Sequence, residues 1–275
     1  MSPNLLPRAA RLTAYTALTG CATVTLTPLV WLVAATLKSK DDLFSYTFLA
    51  PHLTTESYRN LFASVPFARY MINSVFVAGS IVMAQLFFSS LAGFALAKYD
   101  FRGKKLVMLI MLATMLIPGQ VVLGPMYELL YRFRLIDQHL GLIVPGAVSV
   151  FGIFLFRQAI LQVPDELMHA ARIDGCSEFR IYWDVIMPVS RPMIGAFCLI
   201  SFMGAWNGFL WPQIILHRKD LFTLPIALNQ MINQYSQQYG LLMAGTLLSV
   251  LPVMVLFLLL QREFVAGLTT GAIKG

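Results

Sequence analysis

Six long apolar runs constrain the fold of this chain more than any other feature of its sequence. None of them contains Asp, Lys or Arg, and their only acidic residue is Glu128 in the third run. A helix needs about 20 apolar residues to cross a bilayer core of roughly 30 Å, where the backbone must satisfy its own hydrogen bonds. The runs cover residues 12–37, 71–97, 106–130, 140–156, 193–216 and 240–260. They predict six transmembrane helices.

Composition supports an all-α, polytopic membrane protein. Hydrophobic residues make up 58% of the chain and charged residues 12%, with a mean hydropathy of +0.72, whereas soluble domains carry about 25% charged residues. The first run follows Arg8 and Arg11, as in a signal peptide, but it is far longer than the roughly 7–15 apolar residues of such peptides. We therefore expect a retained first helix and a single transmembrane domain over residues 1–275.

The distribution of Lys and Arg predicts the orientation of these helices, because cytoplasmic loops retain positive charge. The densest cluster is "KYDFRGKK" at 98–105, between the second and third runs. Placing this cluster in the cytoplasm predicts that both termini and the polar segment between the fourth and fifth runs are cytoplasmic as well. The net charge of +7 then follows from topology and requires no nucleic-acid partner.

The segment 157–192 is the one long internal stretch with the polarity of a soluble protein surface. Pro164 followed by two acids is a helix start signal, and Gly175 is a helix stop signal. Between them Leu167, Ala170, Ala171 and Asp174 recur at three- and four-residue spacing, as expected for a helix. Two adjacent alanines leave a smooth strip that another protein's backbone can approach closely.

A second helix is predicted from Ser177 to Pro188, within "SEFRIYWDVIMP". Its apolar side chains at helical spacing would form one amphipathic face, suited to the membrane surface or to the ends of spanning helices. These side chains are Phe179, Tyr182, Trp183 and Ile186. From the residues alone, a helix presented to a partner and an interfacial helix pair without a partner are equally good interpretations.

Motif residues within this segment resolve that choice through a family resemblance. The pattern is carried by Pro164, Glu166, Leu167, Ala170, Ala171, Asp174, Gly175, Trp183, Ile186, Pro188 and Pro192. It resembles the EAA loop of carbohydrate-type ATP-binding cassette (ABC) importer permeases. Further stretches in matching order resemble the MalG/UgpE type of these permeases: "NSVFVAG", "AGFALAKYDFRGKK", "MLIPGQVVLGPMY", "GAWNGFLWP" and "AGLTTGAIKG". We call residues 157–192 the coupling loop.

The resemblance implies a function and a set of partners. Such a permease forms half of a translocation pathway in the bacterial plasma (inner) membrane, with a second permease, two copies of an ABC ATPase and an external solute-binding protein. It binds no cofactor or metal itself, and the ATPase uses ATP and Mg²⁺. The solutes of these systems include oligosaccharides, disaccharides and glycerol 3-phosphate. The coupling helix contacts the ATPase, which assigns that role to Glu166, His169, Ala170, Ala171, Asp174 and Gly175.

His169 departs from the family pattern, which has a glutamate at this position. A neutral imidazole does not make the charged contact that a glutamate makes to an ATPase. The departure affects the strength and pH dependence of docking, while the shape of the loop is expected to be kept.

Catalysis by the chain itself is not expected. No G-x-x-x-x-G-K-[ST] loop occurs, and the four histidines fall in separate loops without a matching Ser and acid. The spacing of the three cysteines suits neither a disulfide framework nor a zinc site. The main alternative function is an ion-coupled secondary transporter, but such carriers commonly place ionisable residues inside the membrane, and these runs have almost none.

Polar residues within the runs and in the last long loop are candidates for solute contact. Gln120, Trp206 and Asn207 carry amide and aromatic groups that suit a sugar path. The favoured alternative is that intramembrane amides, including Asn73 and Gln85, join neighbouring helices by hydrogen bonds. By resemblance, the loop at 229–239 is a scoop that enters the binding protein, and a passive cover is the alternative. Its candidate residues are Asn229, Asn233, Gln234 and Gln237.

Overall fold

The computed structural model describes residues 8–40, 42–43, 47–48, 52–234 and 238–270. In these ranges all regular secondary structure is helical, as expected. The first helices are α1 (Arg8–Thr36), α2 (Glu56–Ser64), α3 (Phe67–Lys98), α4 (Lys104–Thr114) and α5 (Leu123–Arg132). They are followed by α6 (Leu140–Gly146), α7 (Val150–Ile160), α8 (Asp165–Ile173), α9 (Glu178–Ile181) and α10 (Met187–Val189). The last are α11 (Arg191–Trp206), α12 (Leu210–Ile215), α13 (Leu224–Gln234) and α14 (Tyr239–Thr270).

Three continuous helices, α1, α3 and α14, are long and apolar enough to cross a membrane. Three further pairs of helices pass the same test of length and composition together, each with a bend at a short break. The bent pairs are 104–132, 140–160 and 178–206. Counting each pair as one span gives up to six spans in the described part of the chain. This upper count equals the six predicted from the apolar runs, but the pair 178–206 begins within the coupling loop rather than at the start of the fifth run, 193–216.

The third span differs from the single helix expected over residues 106–130. It is bent by 92° between α4 and the short 3₁₀ helix Gly119–Val122 that precedes α5. The bend falls at Pro118, whose ψ of 130° is extended rather than helical. A proline also disfavours the helical conformation in the residue before it. Hydropathy does not register this local conformational restriction, so the apolar run by itself predicts one continuous helix.

The fifth apolar run, 193–216, is also divided. Helix α11 ends at Trp206, and α12 begins only at Leu210. Gly208 lies between the two helices, and a glycine readily interrupts a helix. The fourth span is bent by 41° between α6 and α7, and the Ser149 hydroxyl caps α7 by accepting from the Gly152 N–H at 3.0 Å.

The chain divides into two compact units. The first comprises Met1–Phe67 and Leu228–Val250. Within it, α2 begins at Glu56, and the Thr54 hydroxyl accepts from the Glu56 N–H at 3.1 Å. The Tyr58 hydroxyl donates to Thr36 Oγ1 at 2.9 Å, which joins α2 to the end of α1.

The second unit comprises Ala68–Ala227 and Leu251–Gly275 and contains the coupling loop. Its main apolar cluster joins the C-terminal part of α3, the end of α7, the inner face of α8 and the helices that follow α8. The buried members are Phe94, Phe156, Ile160, Val163, Met168, Ala171, Ile181, Tyr182, Ile186 and Phe197. The coupling loop therefore packs on the helices of its own unit. The expectation of a single domain over 1–275 stays a prediction.

Candidate coupling site

The helix predicted after Pro164 is α8, Asp165–Ile173. Pro164 is extended, with a ψ of 137°, and Asp165 and Glu166 occupy the first turn, where acids complement the helix dipole. The chain leaves the helix through Gly175, whose φ of +80° is left-handed. Both ends of the predicted helix are thus confirmed.

The two faces of α8 differ in character. Met168 and Ala171 are buried in the apolar cluster, whereas the opposite face is exposed. Ile173 is 87% exposed, although isoleucine is ordinarily a core residue. The other exposed residues of the outer face are Glu166, Leu167, His169 and Ala170, followed by Asp174 and Gly175 after the helix. The described residues leave this face uncovered.

The expected strip of two alanines is wrong for Ala171. Adjacent residues on a helix lie about 100° apart, so Ala170 and Ala171 cannot share one narrow face. Ala170 is exposed, and Ala171 faces the chain's own core. The small side chain of Ala171 thus serves packing under α8. Of the two alanines, only Ala170 contributes to the outer surface.

The second predicted helix begins at Ser177, whose hydroxyl accepts from the Arg180 N–H at 3.3 Å. Helix α9 continues into a π-helical turn, Tyr182–Ile186, and then α10. The single apolar face expected here is wrong: Tyr182 and Ile186 are buried, but Phe179 and Trp183 are exposed. A π turn carries extra residues per turn and so changes which side chains face inward.

Polar contacts hold the coupling loop to the end of α3. The Lys98 ammonium donates to Asp165 Oδ1 at 2.6 Å and also to the Val163 carbonyl. The Tyr99 hydroxyl donates to Glu178, which also accepts from Arg172 Nε at 2.7 Å. The beginning of α8 and the beginning of α9 are therefore both bonded to residues at the C-terminal end of one long helix.

The charges of this network keep its carboxylates ionised. The hydrogen bond from Lys98 lowers the pKa of Asp165. The hydrogen bonds from Arg172 and then Tyr99 lower the pKa of Glu178. Burial, followed by the hydrogen bond to Glu178, raises the pKa of Tyr99, which therefore remains a donor. These protonation states maintain the contacts at neutral pH.

A buried contact joins α3 to the π-helical turn. The hydroxyls of Ser90 and Tyr182 share a hydrogen bond of 2.7 Å, and both residues are buried. The Phe94 ring packs against both the Tyr182 ring and the Tyr99 ring, with centroid distances of 5.6 and 5.5 Å. The sequence motifs do not predict these contacts, because the distribution of positive charge assigns Lys98 only a role in orientation. A polar cluster directly after a long apolar helix was the available sign.

The three residues expected to line a sugar path are not equivalent. Trp206 is buried, and its ring stacks on the ring of Phe202, in the same helix α11, with centroids 5.3 Å apart. Its side chain therefore serves packing. Gln120, in the 3₁₀ helix, and Asn207, directly after α11, are exposed. Solute contact by Gln120 and Asn207 stays a prediction.

Two other intramembrane amides join segments of the second unit, in line with the alternative favoured from sequence. Asn73 Nδ2 donates to the carbonyls of Asp220 and Phe222, both at 3.0 Å. Gln85 Nε2 donates to the Gly146 carbonyl at 2.7 Å. The Ser201 hydroxyl donates to Gln85 Oε1 at 2.6 Å. These amides hold α3 to three separate parts of the chain.

The residues predicted for the scoop loop are only partly described. Asn229 is half-buried in α13, and Gln234 at the end of α13 is exposed. Asn233 belongs to the same helix, but its side chain lies outside the described part of the chain, as does the whole of Gln237. The predicted loop thus begins as a helix, and its role stays a prediction.

Comparison with known proteins places the chain in a family. Residues 85–269 match the family of binding-protein-dependent transport system inner membrane components. The chain is 35% identical over 253 residues to the arabinooligosaccharides transport system permease protein AraQ of Halalkalibacterium halodurans, with 90% of this chain and 91% of the relative covered. It is 30% identical over 274 residues to the lactose transport system permease protein LacG of Rhizobium radiobacter, with 100% of each covered.

A solved structure has the same fold. It is a chain of a bacterial ABC transporter involved in the import of the acidic polysaccharide alginate. The TM-score is 0.84 at 21% identity, with 94% of this chain and 99% of that chain covered. The fold, the family match and the full-length relatives agree with one another. This chain belongs to the family of binding-protein-dependent transport system inner membrane components.

Proposed function

We propose that this chain is a permease subunit of an ATP-driven ABC importer for a sugar or sugar-like solute. It forms half of the translocation pathway and works with a second permease, two copies of an ABC ATPase and an external solute-binding protein. The names of relatives similar over nearly their whole length, a permease for arabino-oligosaccharides and one for lactose, support a sugar as the solute.

The observation that carries this proposal is the geometry of the coupling loop. Helix α8 presents an uncovered outer face with Glu166, His169 and Ile173, while its inner face is fixed to the core of the second unit. A surface of this kind suits docking on another protein. We assign it to the ATPase, with Glu166, His169, Ala170 and Asp174 as contact residues and Gly175 as the helix terminator.

The contacts beneath α8 explain how docking reaches the membrane helices. When ATP closes the two ATPases, the docked α8 moves with them. Because Lys98 and Tyr99 bond to the coupling loop and Ser90 bonds to Tyr182, a displacement of α8 is transmitted to α3. Nucleotide then biases a rigid-body transition between inward-open and outward-open states, which requires contacts that differ between those states.

In this arrangement the chain is a non-catalytic subunit. ATP and Mg²⁺ bind to the partner ATPase, and the chain itself holds no cofactor or metal. The coupling loop must lie in the cytoplasm with the ATPase, which places both termini there too. In a background with Cys21, Cys176 and Cys198 replaced by Ser, cysteines introduced at Ser177 and Gln234 should react with impermeant reagents from opposite sides. Reaction of both from one side would overturn this topology.

Reconstitution tests the function itself. The chain, its partner permease, the ATPase and the binding protein are placed in vesicles, and uptake of labelled arabinotriose and lactose is followed. We expect uptake to require both ATP and the binding protein and to persist when ionophores collapse the ion gradients. Uptake driven by a proton or sodium gradient without ATP would support the ion-coupled alternative instead.

A further inference from the structure

A narrow groove of the second unit runs between α3, α4 and α7. Its lining is almost wholly apolar and includes Met108, Met111 and Leu112 of α4 and Phe154 of α7. Leu112 and Phe154 are 40% and 37% exposed, and no residue of α4 is buried. The groove therefore lies on the outside of the described packing, where lipid can reach it.

Among the described residues that line this groove, Arg157 alone is charged. It directly follows the fourth apolar run, 140–156, and its side chain contacts Leu96 near the end of α3. The second apolar run ends at 97 and the third begins at 106, on either side of the basic segment 98–105. This end of the groove is therefore at the membrane boundary, where positively charged residues and lipid headgroups meet.

The Arg157 guanidinium uses only one of its five N–H donors within the described part of the chain. Its Nε donates to the Leu96 carbonyl at 3.3 Å, and this bond fixes the direction of the side chain. The two terminal nitrogens have no partner among the described residues, and they are accessible. The carboxylates of Asp100 and Asp165, close to this end of α3, are already paired with lysines. The groove thus presents an oriented cation whose remaining donors are open to an anion.

We propose that this groove binds an anionic phospholipid. The lipid phosphate accepts from the terminal nitrogens of Arg157, and one acyl chain lies along Met108, Met111 and Leu112. The planar guanidinium suits bidentate contact with a phosphate better than an ammonium does. The basic segment 98–105, with four cations and one acid, attracts the same headgroup. Such a lipid site goes beyond the proposed import function and is independent of the identity of the solute.

Other anions are less suited to this groove. A free phosphate ion would pair with Arg157 but would gain nothing from the apolar lining. A carboxylate of the second permease would also pair with the guanidinium, and its side chain would cover only a small part of the exposed apolar surface of α4. A phospholipid supplies the phosphate and the acyl chain in one molecule.

The position of Arg157 connects such a lipid to the coupling loop, of which Arg157 is the first residue. Its bond partner Leu96 lies shortly before Lys98, which bonds to the beginning of α8. A Cβ added at Gly93 would lie 2.9 Å from the Arg157 backbone nitrogen, so α3 and α7 are in close contact here. A headgroup held by Arg157 therefore stabilises the junction through which a displacement of α8 reaches α3.

Photocrosslinking in nanodiscs tests the site on the assembled transporter. A trace of phosphatidylglycerol or phosphatidylcholine with a photoreactive acyl chain is added, and crosslinked peptides of α4 and α7 are quantified. We expect the phosphatidylglycerol probe to crosslink to these peptides more than the phosphatidylcholine probe, which reports contact with bulk lipid. Unlabelled phosphatidylglycerol should compete for the site, whereas inorganic phosphate should not.

Arg157→Gln removes the charge from the groove. Crosslinking of the phosphatidylglycerol probe should fall about tenfold, as expected for lost charge-assisted hydrogen bonds, to the level of the phosphatidylcholine probe. Arg102→Gln is the matched control, since Arg102 is an exposed cation of the basic segment that does not line the groove. Its crosslinking should stay close to that of wild type. Met108→Trp fills the groove without changing its charge and should also lower phosphatidylglycerol crosslinking, which decides the question if Arg157→Gln fails to assemble.

Three results would refute the lipid site. These are equal crosslinking of the two probes in wild type, undiminished phosphatidylglycerol crosslinking in an assembled Arg157→Gln transporter, and displacement of the probe by inorganic phosphate, which would indicate a site for free anions. Loss of the second permease from the Arg157→Gln complex, with equal crosslinking of the probes in wild type, would assign the guanidinium to a subunit contact instead. ATP-dependent uptake is scored separately, so a refuted lipid site leaves the proposed function standing.

Discussion

Lys98 and Asp165 lie 67 positions apart in the chain, yet Lys98 Nζ is 2.6 Å from Asp165 Oδ1. The Lys98 side chain is only 5% exposed, whereas that of Asp165 is 69% exposed. The lysine is thus held in place by the second unit and fixes the beginning of α8. This pair directly links the last turn of α3 to α8, the helix of the coupling loop.

Lys98→Met removes this link and keeps the apolar stem. Because ion pairs with one exposed partner contribute little to stability, the effect should appear in coupling. We expect membrane levels and basal ATP hydrolysis to be retained, while transport and stimulation by the loaded binding protein fall several-fold. Lys105→Met, at an exposed residue of the same basic cluster, is the control. Normal transport by Lys98→Met would show that the contact is dispensable.

Gly175→Ala tests the end of the coupling helix. No atom lies within 4 Å of a Cβ added at Gly175, so the cost comes from its φ of +80° and is about 1 kcal/mol or more. We expect reduced uptake and ATP hydrolysis that no longer depends on solute. Gly103→Ala places the same strain at a φ of +89°, also with open space, outside the coupling loop. Equal losses in the two variants would indicate general destabilisation.

Glu178→Gln tests the pH range over which the network holds. The pKa of Glu178 is lowered below its ordinary value of 4.5 by Arg172 and Tyr99. Its stabilising contribution is therefore full above that value and lost as the pH falls through the lowered pKa. For each form, the ATPase activity stimulated by the loaded binding protein is divided by the basal ATPase activity. The wild-type quotient, relative to that of Glu178→Gln, should stay constant between about pH 6 and 8. A ratio that changes across this range would contradict the assignment.

His169→Glu concerns the departure from the family pattern on the exposed face of α8. Histidine is the side chain whose charge ordinarily changes between about pH 5 and 8, whereas glutamate keeps its charge there. We expect the ATPase activity of the assembled transporter to depend on pH differently in the two forms, most clearly between about pH 6 and 8. Superimposable profiles would show that position 169 makes no charge-dependent contact.

Replacing residues 233–238 with Gly and Ser tests the scoop loop. Its amides supply donors and acceptors that can replace those lost by a released solute. We expect transport and stimulation by the loaded binding protein to fall, while basal ATP hydrolysis persists. The solute affinity of the isolated binding protein, a separate chain, is the control and should not change. Full transport with the loop replaced would indicate a passive cover.

The sequence by itself determined the membrane character and the limits of the coupling helix, and it predicted six spans, which is the upper count that the structure allows. These properties depend on local information. Long apolar runs partition into a bilayer whatever their neighbours are. Pro164 restricts the backbone at its own position, and Gly175 permits the left-handed conformation in which the chain leaves α8. The motif pattern also indicated the family, because such a pattern depends only on residue types at fixed spacing along the sequence.

Only the tertiary structure decided which side chains face outward and which are joined across the chain. The inward position of Ala171 and Tyr182, the packing of Trp206 on Phe202 and the contacts of Lys98 with the coupling loop were not predicted. Such contacts join residues distant in sequence, as in the bonds from Asn73 to residues 147 and 149 positions away. Several helices must pack before such contacts exist, because no single segment contains both partners.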